Sequence, residues 1–227
     1  PCVAASQLGN PDLGWETTDG ADIGLDIRTL NNRVGLIADY FYRKSSGLLV
    51  DVPVPTLSGF GSRPDNIGEM VNRGFDFGIE TVNIEAQRAG DFRWTSSLNA
   101  TFSRNEVTEL YKGQDITTGV NGRQTSIARV GQPLGAFYMY KFLGVDPATG
   151  NAIFADTDGN EGLSEGDRQI VGSPHPDYYG GFTNEFSFKG FDLRTFFQFS
   201  VGNDIFNMMR LFADDGAYSY DNKFADV

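Results

Sequence analysis

The sharpest chemical signal in the chain is the run Asp156-Thr157-Asp158-Gly159-Asn160-Glu161-Gly162-Leu163-Ser164-Glu165-Gly166-Asp167. A hard cation such as Ca²⁺ is wrapped by oxygen ligands at positions 1, 3 and 5 of a tight loop, a backbone carbonyl at 7 and a carboxylate at 12. Asp156, Asp158, Asn160, Gly162 and Asp167 stand at those positions. The run departs from the pattern twice: Glu161 stands where such loops turn on glycine, and Asp167 is shorter than the usual bidentate glutamate. A solvated acidic turn is the competing reading.

Other chemistry is excluded by count or spacing. His175 is the single histidine, so a histidine-dependent triad or multi-histidine metal site within the chain fails. There is no Gly-x-Ser-x-Gly elbow and no Gly-x-x-x-x-Gly-Lys phosphate loop. The many carboxylates are not spaced so as to separate a general acid from a base. The expectation is therefore a non-enzyme, with no required cofactor beyond the candidate Ca²⁺. A net charge of -12 argues against nucleic acid, because little here neutralises phosphate. The acid gathers in Asp146–Asp167 and Asp204–Asp226. The one cysteine, Cys2, excludes an intrachain disulfide framework.

The elements that would position the acidic run are strands with two contrasting faces. In 180–204, Phe182, Phe186 and Phe188 share one parity, and Thr183, Glu185, Ser187 and Lys189 the other. Beyond Gly190, Phe191, Leu193, Thr195, Phe197, Phe199 and Val201 alternate with Asp192, Arg194, Gln198 and Ser200, interrupted by Phe196. Side chains alternate between faces along a strand, so one face is apolar and the other wet. Each arm runs about ten residues, enough to cross a bilayer as a tilted strand.

The same pattern predicts strands over 18–29 and 33–43 around Asn31-Asn32, and over 73–86 and 92–104 around Gly90. A slip in phase near Val82 and Ile84 predicts a bulge. Residues 44–72, 104–179 and the tail after Asn207 read as long connections, with candidate short strands at 47–52, 134–145 and 153–155. Short turns at one end and long loops at the other is the asymmetry of outer-membrane barrels, the long loops facing out of the cell. The aromatic groups Tyr40-Phe41-Tyr42, Phe137–Tyr140 and Tyr178-Tyr179 fall where strands meet long loops, suited to a membrane-interface girdle or, if inward, to sugar stacking.

Composition fits a barrel wall: 28 glycines, 19 phenylalanines and 13% aromatic residues, at a mean hydropathy of -0.30. No run reaches the roughly 20 apolar residues of a membrane helix. The fold expected is all-β, an antiparallel up-and-down transmembrane barrel segment of six to eight strands from a larger barrel, since a plugged transport lumen takes about 22. A secreted carbohydrate-binding β-sandwich matches the bulk numbers as well, and a passive porin or adhesin is a further alternative.

Several segments, in order, resemble SusC-like (SusC/RagA) TonB-dependent transporters: NPDLGWETTDGADIGLD, VGLIADYFYRKSSGLL, NRGFDFGIE, GQPLGAFYMYKFLGVDPATGNAIFAD and the 180–204 hairpin. The resemblance covers nearly the whole chain, 1–227, as part of a barrel domain. It implies a plugged barrel in the outer membrane of a Bacteroidetes-type bacterium, importing oligosaccharides or peptides with a SusD-like lipoprotein and energised through TonB. It further implies a plug encoded before Pro1 and closing strands after Val227.

Overall fold

The computed structural model describes residues 8–120 and 123–213. The strands are β1 (Thr17–Thr29), β2 (Val34–Pro53), β3 (Ser62–Ile84), β4 (Arg93–Glu109), β5 (Ile116–Val120), β6 (Arg123–Ala128), β7 (Ala136–Tyr140), β8 (Phe142–Val145), β9 (Ala152–Phe154), β10 (Arg168–Gly172), β11 (Tyr178–Phe188) and β12 (Phe191–Val201). Six of them form one antiparallel sheet in the order β1-β2-β3-β4-β11-β12. A four-stranded sheet, β10-β7-β6-β5, and the β8-β9 hairpin form the insertion between β4 and β11. Cys2 and the tail beyond Ala213 lie outside the described residues; just before that limit stands a short helix, α1 (Met208–Ala213). Among the described residues no helix is long and apolar enough to cross a membrane, a statement that does not bear on strands.

Register sorts the six-stranded sheet into the two predicted faces. Ile23, Tyr40, Phe75, Phe102 and Tyr178 are successive cross-strand partners on the apolar face. Leu25, Ala38, Phe77 and Ala100 form the next row down. Nearer the short turns stand Trp94, Phe186 and Leu193. The opposite face carries Asp26, Arg28, Glu80, Ser97, Glu185 and Arg194. Eight residues separate Trp94 from Phe102. At about 3.3 Å per residue and a tilt of about 40° they span roughly 20 Å of height, close to the apolar band of an outer-membrane barrel.

The short turns obey their sequences. Leu30, Asn31 and Asn32 all have positive φ, of 53°, 56° and 65°. Asparagine tolerates that region better than most residues. Lys189 and Gly190, at 47° and 86°, supply the two positive φ values that a two-residue hairpin matched to strand twist requires. The phase slip near Val82 is a register shift between Val82 and Ile84 against β4.

The long connection expected over 44–72 is a correction. β2 runs on to Pro53 and β3 starts at Ser62, so the pair projects as a ribbon and only 54–61 connects them. Register shifts between Ser46 and Leu48 and between Leu48 and Leu49, with Gly47 at φ 66°, interrupt the alternation that would have revealed it. Pro64 is tolerated because β4 ends opposite Glu69, leaving that part of β3 an edge where a missing N–H costs no ladder bond.

The aromatic group Phe137–Tyr140 is a second correction. It forms β7 of the smaller sheet, away from the wall. Most of the buried apolar residues collect here, Ile127 and Ala136 with Val107 of β4 and Leu110 just past it; Val52 and Val71 are buried in the β2–β3 pair. The β4 end is locked to this insertion by Val107 N–H to the Gln132 carbonyl, 2.9 Å, and Gly131 N–H to the Val107 carbonyl, 2.8 Å.

Candidate functional site

The acidic run connects β9 to β10. The Asp156, Asp158 and Asp167 carboxylates lie within 4.8 Å of one another. Asn160 and Gly162 line the recess beside Asp156 and Asp167. The departure at Glu161 has a local explanation: the left-handed residues are Gly159 and Gly162, with φ of 74° and 90°, so the chain turns on either side of Glu161.

Asp167 is 1% exposed and already organises the loop. One carboxylate oxygen accepts from Thr157 N–H and the other from Ser164 N–H, both at 2.8 Å. Ser164 returns the bond by capping the single 3₁₀ turn at Glu165–Asp167, its hydroxyl accepting from Gly166 N–H at 3.0 Å. That hydroxyl also donates to Asp158. The Ser164 and Thr157 N–H groups hold the Asp167 carboxyl below the usual carboxylate range, against the opposing effects of burial and of the Asp158 charge. The Ser164 hydroxyl and Asn160 N–H lower Asp158 in the same sense. Hydrogen bonds thus offset much of the repulsion among the three charges.

Sequence reading did not single out two residues that position this loop. Ser164 stands three before Asp167, the spacing of a capping box, which was the available signal. Arg168 donates to the Gln124 carbonyl at 2.8 Å and pairs with Glu165 at 2.8 Å, its guanidinium 4.9 Å from the Tyr140 ring centroid. It ties the loop to β6 and β7. No local pattern announces that contact.

His175 donates from Nε2 to the Leu134 carbonyl at 2.9 Å, a link between two connections rather than a member of a catalytic group. Of the predicted girdle residues in the wall, Tyr40, Tyr42 and Tyr178 are on the apolar face, and Phe41 and Tyr179 on the polar one. Near the short turns the polar face holds Arg28–Glu80 and Arg194–Glu185 ion pairs, both at 3.4 Å, with Arg93 bordering the same recess.

A polar cluster interrupts the apolar face, Asn184 with its ladder partners Ser96 and Thr195 and, opposite Ser96, Thr81. Asn184, 8% exposed, accepts at Oδ1 from the Trp94 indole N–H at 3.0 Å and from the Ser96 hydroxyl at 2.7 Å. Ser96 Oγ in turn accepts from Asn83 Nδ2 at 2.7 Å. A polar group on such a face must be satisfied by its neighbours, and the Asn184 amide oxygen is, by two donors.

Residues 3–214 match the family model described as TonB dependent receptor-like, beta-barrel. The chain belongs to that family. TonB-dependent receptor P3 of Formosa agariphila is 37% identical over 235 residues, covering 95% of this chain and 23% of the relative. TonB-dependent receptor SusC of Bacteroides thetaiotaomicron is 31% identical over 211 residues, covering 87% of this chain and 20% of that protein. Among solved structures, that of the RagAB peptide transporter matches with a TM-score of 0.81 at 30% identity, over 95% of this chain and 24% of its own.

The chain thus spans about a quarter of the length of these relatives, or less. The expected SusC-like character and the antiparallel barrel segment are borne out. As in other TonB-dependent receptor barrels, the two-faced six-stranded sheet is wall, and the acidic loop lies at the end away from its short turns.

Proposed function

We propose that this chain is part of the wall of an outer-membrane TonB-dependent transporter that imports oligosaccharides or peptides with a SusD-like surface lipoprotein, rather than an enzyme. The observation that carries the reading is the apolar face that continues in register across all six wall strands, with Phe75, Phe191, Leu193 and Phe197 well exposed. In water such a face is a liability. Against lipid it is what a barrel requires. The likeness to SusC and to the RagAB peptide transporter supports import, energy from TonB and a lipoprotein partner. Of the aromatic residues at strand ends, Phe41 and Tyr179 are on the inner face, which also carries Phe196, and are candidates to stack on a passing solute.

The test uses the full-length protein, tagged in its own bacterium. Recovery in the outer membrane with a co-purifying surface lipoprotein, and loss of oligosaccharide or peptide uptake on gene deletion, is the expected result. Recovery in the soluble secreted fraction would return the sandwich reading.

We further infer that the acidic loop takes Ca²⁺. The support is the convergence of Asp156, Asp158 and Asp167, with Asn160 and Gly162 beside them. Ca²⁺ would offset two of the three negative charges and fix the connection between β9 and β10.

A further inference from the structure

Directly above the aromatic row, where the apolar face gives way to charge, two arginines stand opposite each other. Arg73 on β3 pairs across the ladder with Arg104 on β4, one side-chain step beyond the Phe75–Phe102 pair. Like charges directly opposite across strands are destabilising, so the pair has no structural benefit of its own. Arg73 is 3.3 Å from Glu106, in a pair whose side chains are 50% and 40% exposed. Contacts of that kind hold weakly. Arg104 has no ion pair or hydrogen-bond partner among the described residues.

Below the guanidinium groups lies a shallow recess lined by Tyr40, Phe75, Phe102 and Tyr178, with the small Gly74 and Ser103 on its floor. Its rings pack in pairs, Tyr40 on Phe75 at 5.0 Å and Phe102 on Tyr178 at 5.6 Å between centroids. Phe75 and Phe102 nevertheless remain about half exposed, at 58% and 48%. Asp177 is the one acid on the rim, and its carboxylate is drawn over Gly202.

We infer that this recess binds an outer-leaflet lipid whose headgroup phosphate is anionic and not balanced by a cationic group of its own, the phosphate on Arg73 and Arg104 and the acyl chains over the rings. The inference rests on the reading that the apolar face meets lipid. Two adjacent guanidinium forks suit a phosphate's oxygens, and arginine does this better than lysine because its donors are planar and fixed. A free anion would need the arginines and would leave the rings unused. A neutral lipid would cover the rings and leave Arg104 unpaired. A lipid with an anionic, uncompensated phosphate headgroup satisfies both.

The test places the full-length protein in phosphatidylcholine nanodiscs doped with monophosphoryl lipid A, and reads the ratio of the two lipids retained after extraction. The wild-type protein should enrich monophosphoryl lipid A, whose phosphate is a net-anionic monoester, over phosphatidylcholine, whose phosphate is balanced by its own choline. Arg73→Gln and Arg104→Gln should each reduce enrichment about fivefold, which is what one basic side chain contributes at an anionic membrane surface. Arg104→Lys should keep most of it, Glu106→Gln should raise it by freeing Arg73, and the inner-face change Arg194→Gln should leave it unchanged. Heat-modifiable migration in gels shows that each variant is folded. Equal enrichment in wild type and the Arg73→Gln/Arg104→Gln double variant would overturn the inference, as would complete displacement by excess inorganic phosphate. A protein that retains phosphatidylcholine without preference sinks the headgroup site alone. One that stays dissolved without detergent and holds neither lipid sinks the wall reading with it.

Discussion

The ring of Phe196 on β12 lies over Gly181 on β11, on the polar face. A Cβ built at Gly181 would sit 2.7 Å from Phe196 Cε2, closer than such contacts allow. Gly74 on β3 accommodates Phe41 of β2 in the same way. These glycines keep large rings against the wall. Gly181→Ala should therefore destabilise the full-length barrel by about 1–3 kcal/mol, the usual cost of forcing extra volume into a packed site. The temperature at which heat-modifiable migration is lost should fall, and Phe196→Leu in the same chain should restore part of it.

That pair also shows what the sequence made legible. Phe196 breaks an otherwise regular alternation, and the reason is a neighbour fifteen residues away that only the hairpin register brings beneath it. The six wall strands were readable because one face per strand is apolar, and the bulge at Val82 because it shifts the phase. The β2–β3 ribbon was not, because Gly47 and two register shifts break the period where the strands leave the wall. In the acidic loop, the ligand-type residues were readable from spacing. Arg168 was not, since its partners Gln124 and Tyr140 are brought near by sheet pairing alone.

The ribbon is strapped at its base by the segment before β1. Asn66 accepts from Gly14 N–H at 2.7 Å and donates to the carbonyls of Gly14 at 3.1 Å and Gly47 at 2.7 Å. Asn66→Ala removes all three bonds while leaving the ladder. Hydrogen exchange over residues 10–16 should speed up at least tenfold, the β1–β4 wall amides staying protected; unchanged exchange at Gly14 would mean that the strap is held by other contacts.

The acidic loop should be insensitive to mild acid. Asp158 and Asp167 are held below the ordinary carboxylate range by N–H and hydroxyl donors, so their stabilisation is present above the unfolded value of about 3.9 and is lost as pH falls through the lower folded values. Proteolytic nicking near Gly159 should therefore be the same at pH 7 and pH 5 and rise only below about pH 4. Asp167→Asn leaves one acceptor for two N–H donors. It should bring nicking at neutral pH to the wild-type level seen in acid.

Ca²⁺ gives a separate expectation for the same loop. Raising free Ca²⁺ from micromolar to millimolar should slow nicking near Gly159 in the full-length protein by mass action on the folded loop. Asp156→Asn with Asp158→Asn should abolish that response and leave the wall strands intact. Cleavage that ignores Ca²⁺ in the wild type would leave the loop as a hydrogen-bonded acidic turn.

On the proposed function, one face of the β1–β4, β11, β12 sheet meets lipid and the other meets the lumen. Single cysteines at Leu25, Phe77, Ala100 and Leu193, and at Asp26, Gly78, Asn99 and Asp192, carry a nitroxide label in an otherwise cysteine-free full-length protein in bilayers. The expected result is an alternation of period two: the first set relaxed mainly by lipid-dissolved oxygen, the second mainly by a water-soluble nickel complex where the lumen is open. If the first set proved shielded from both reagents, as in the core of a sandwich, the wall reading would be contradicted.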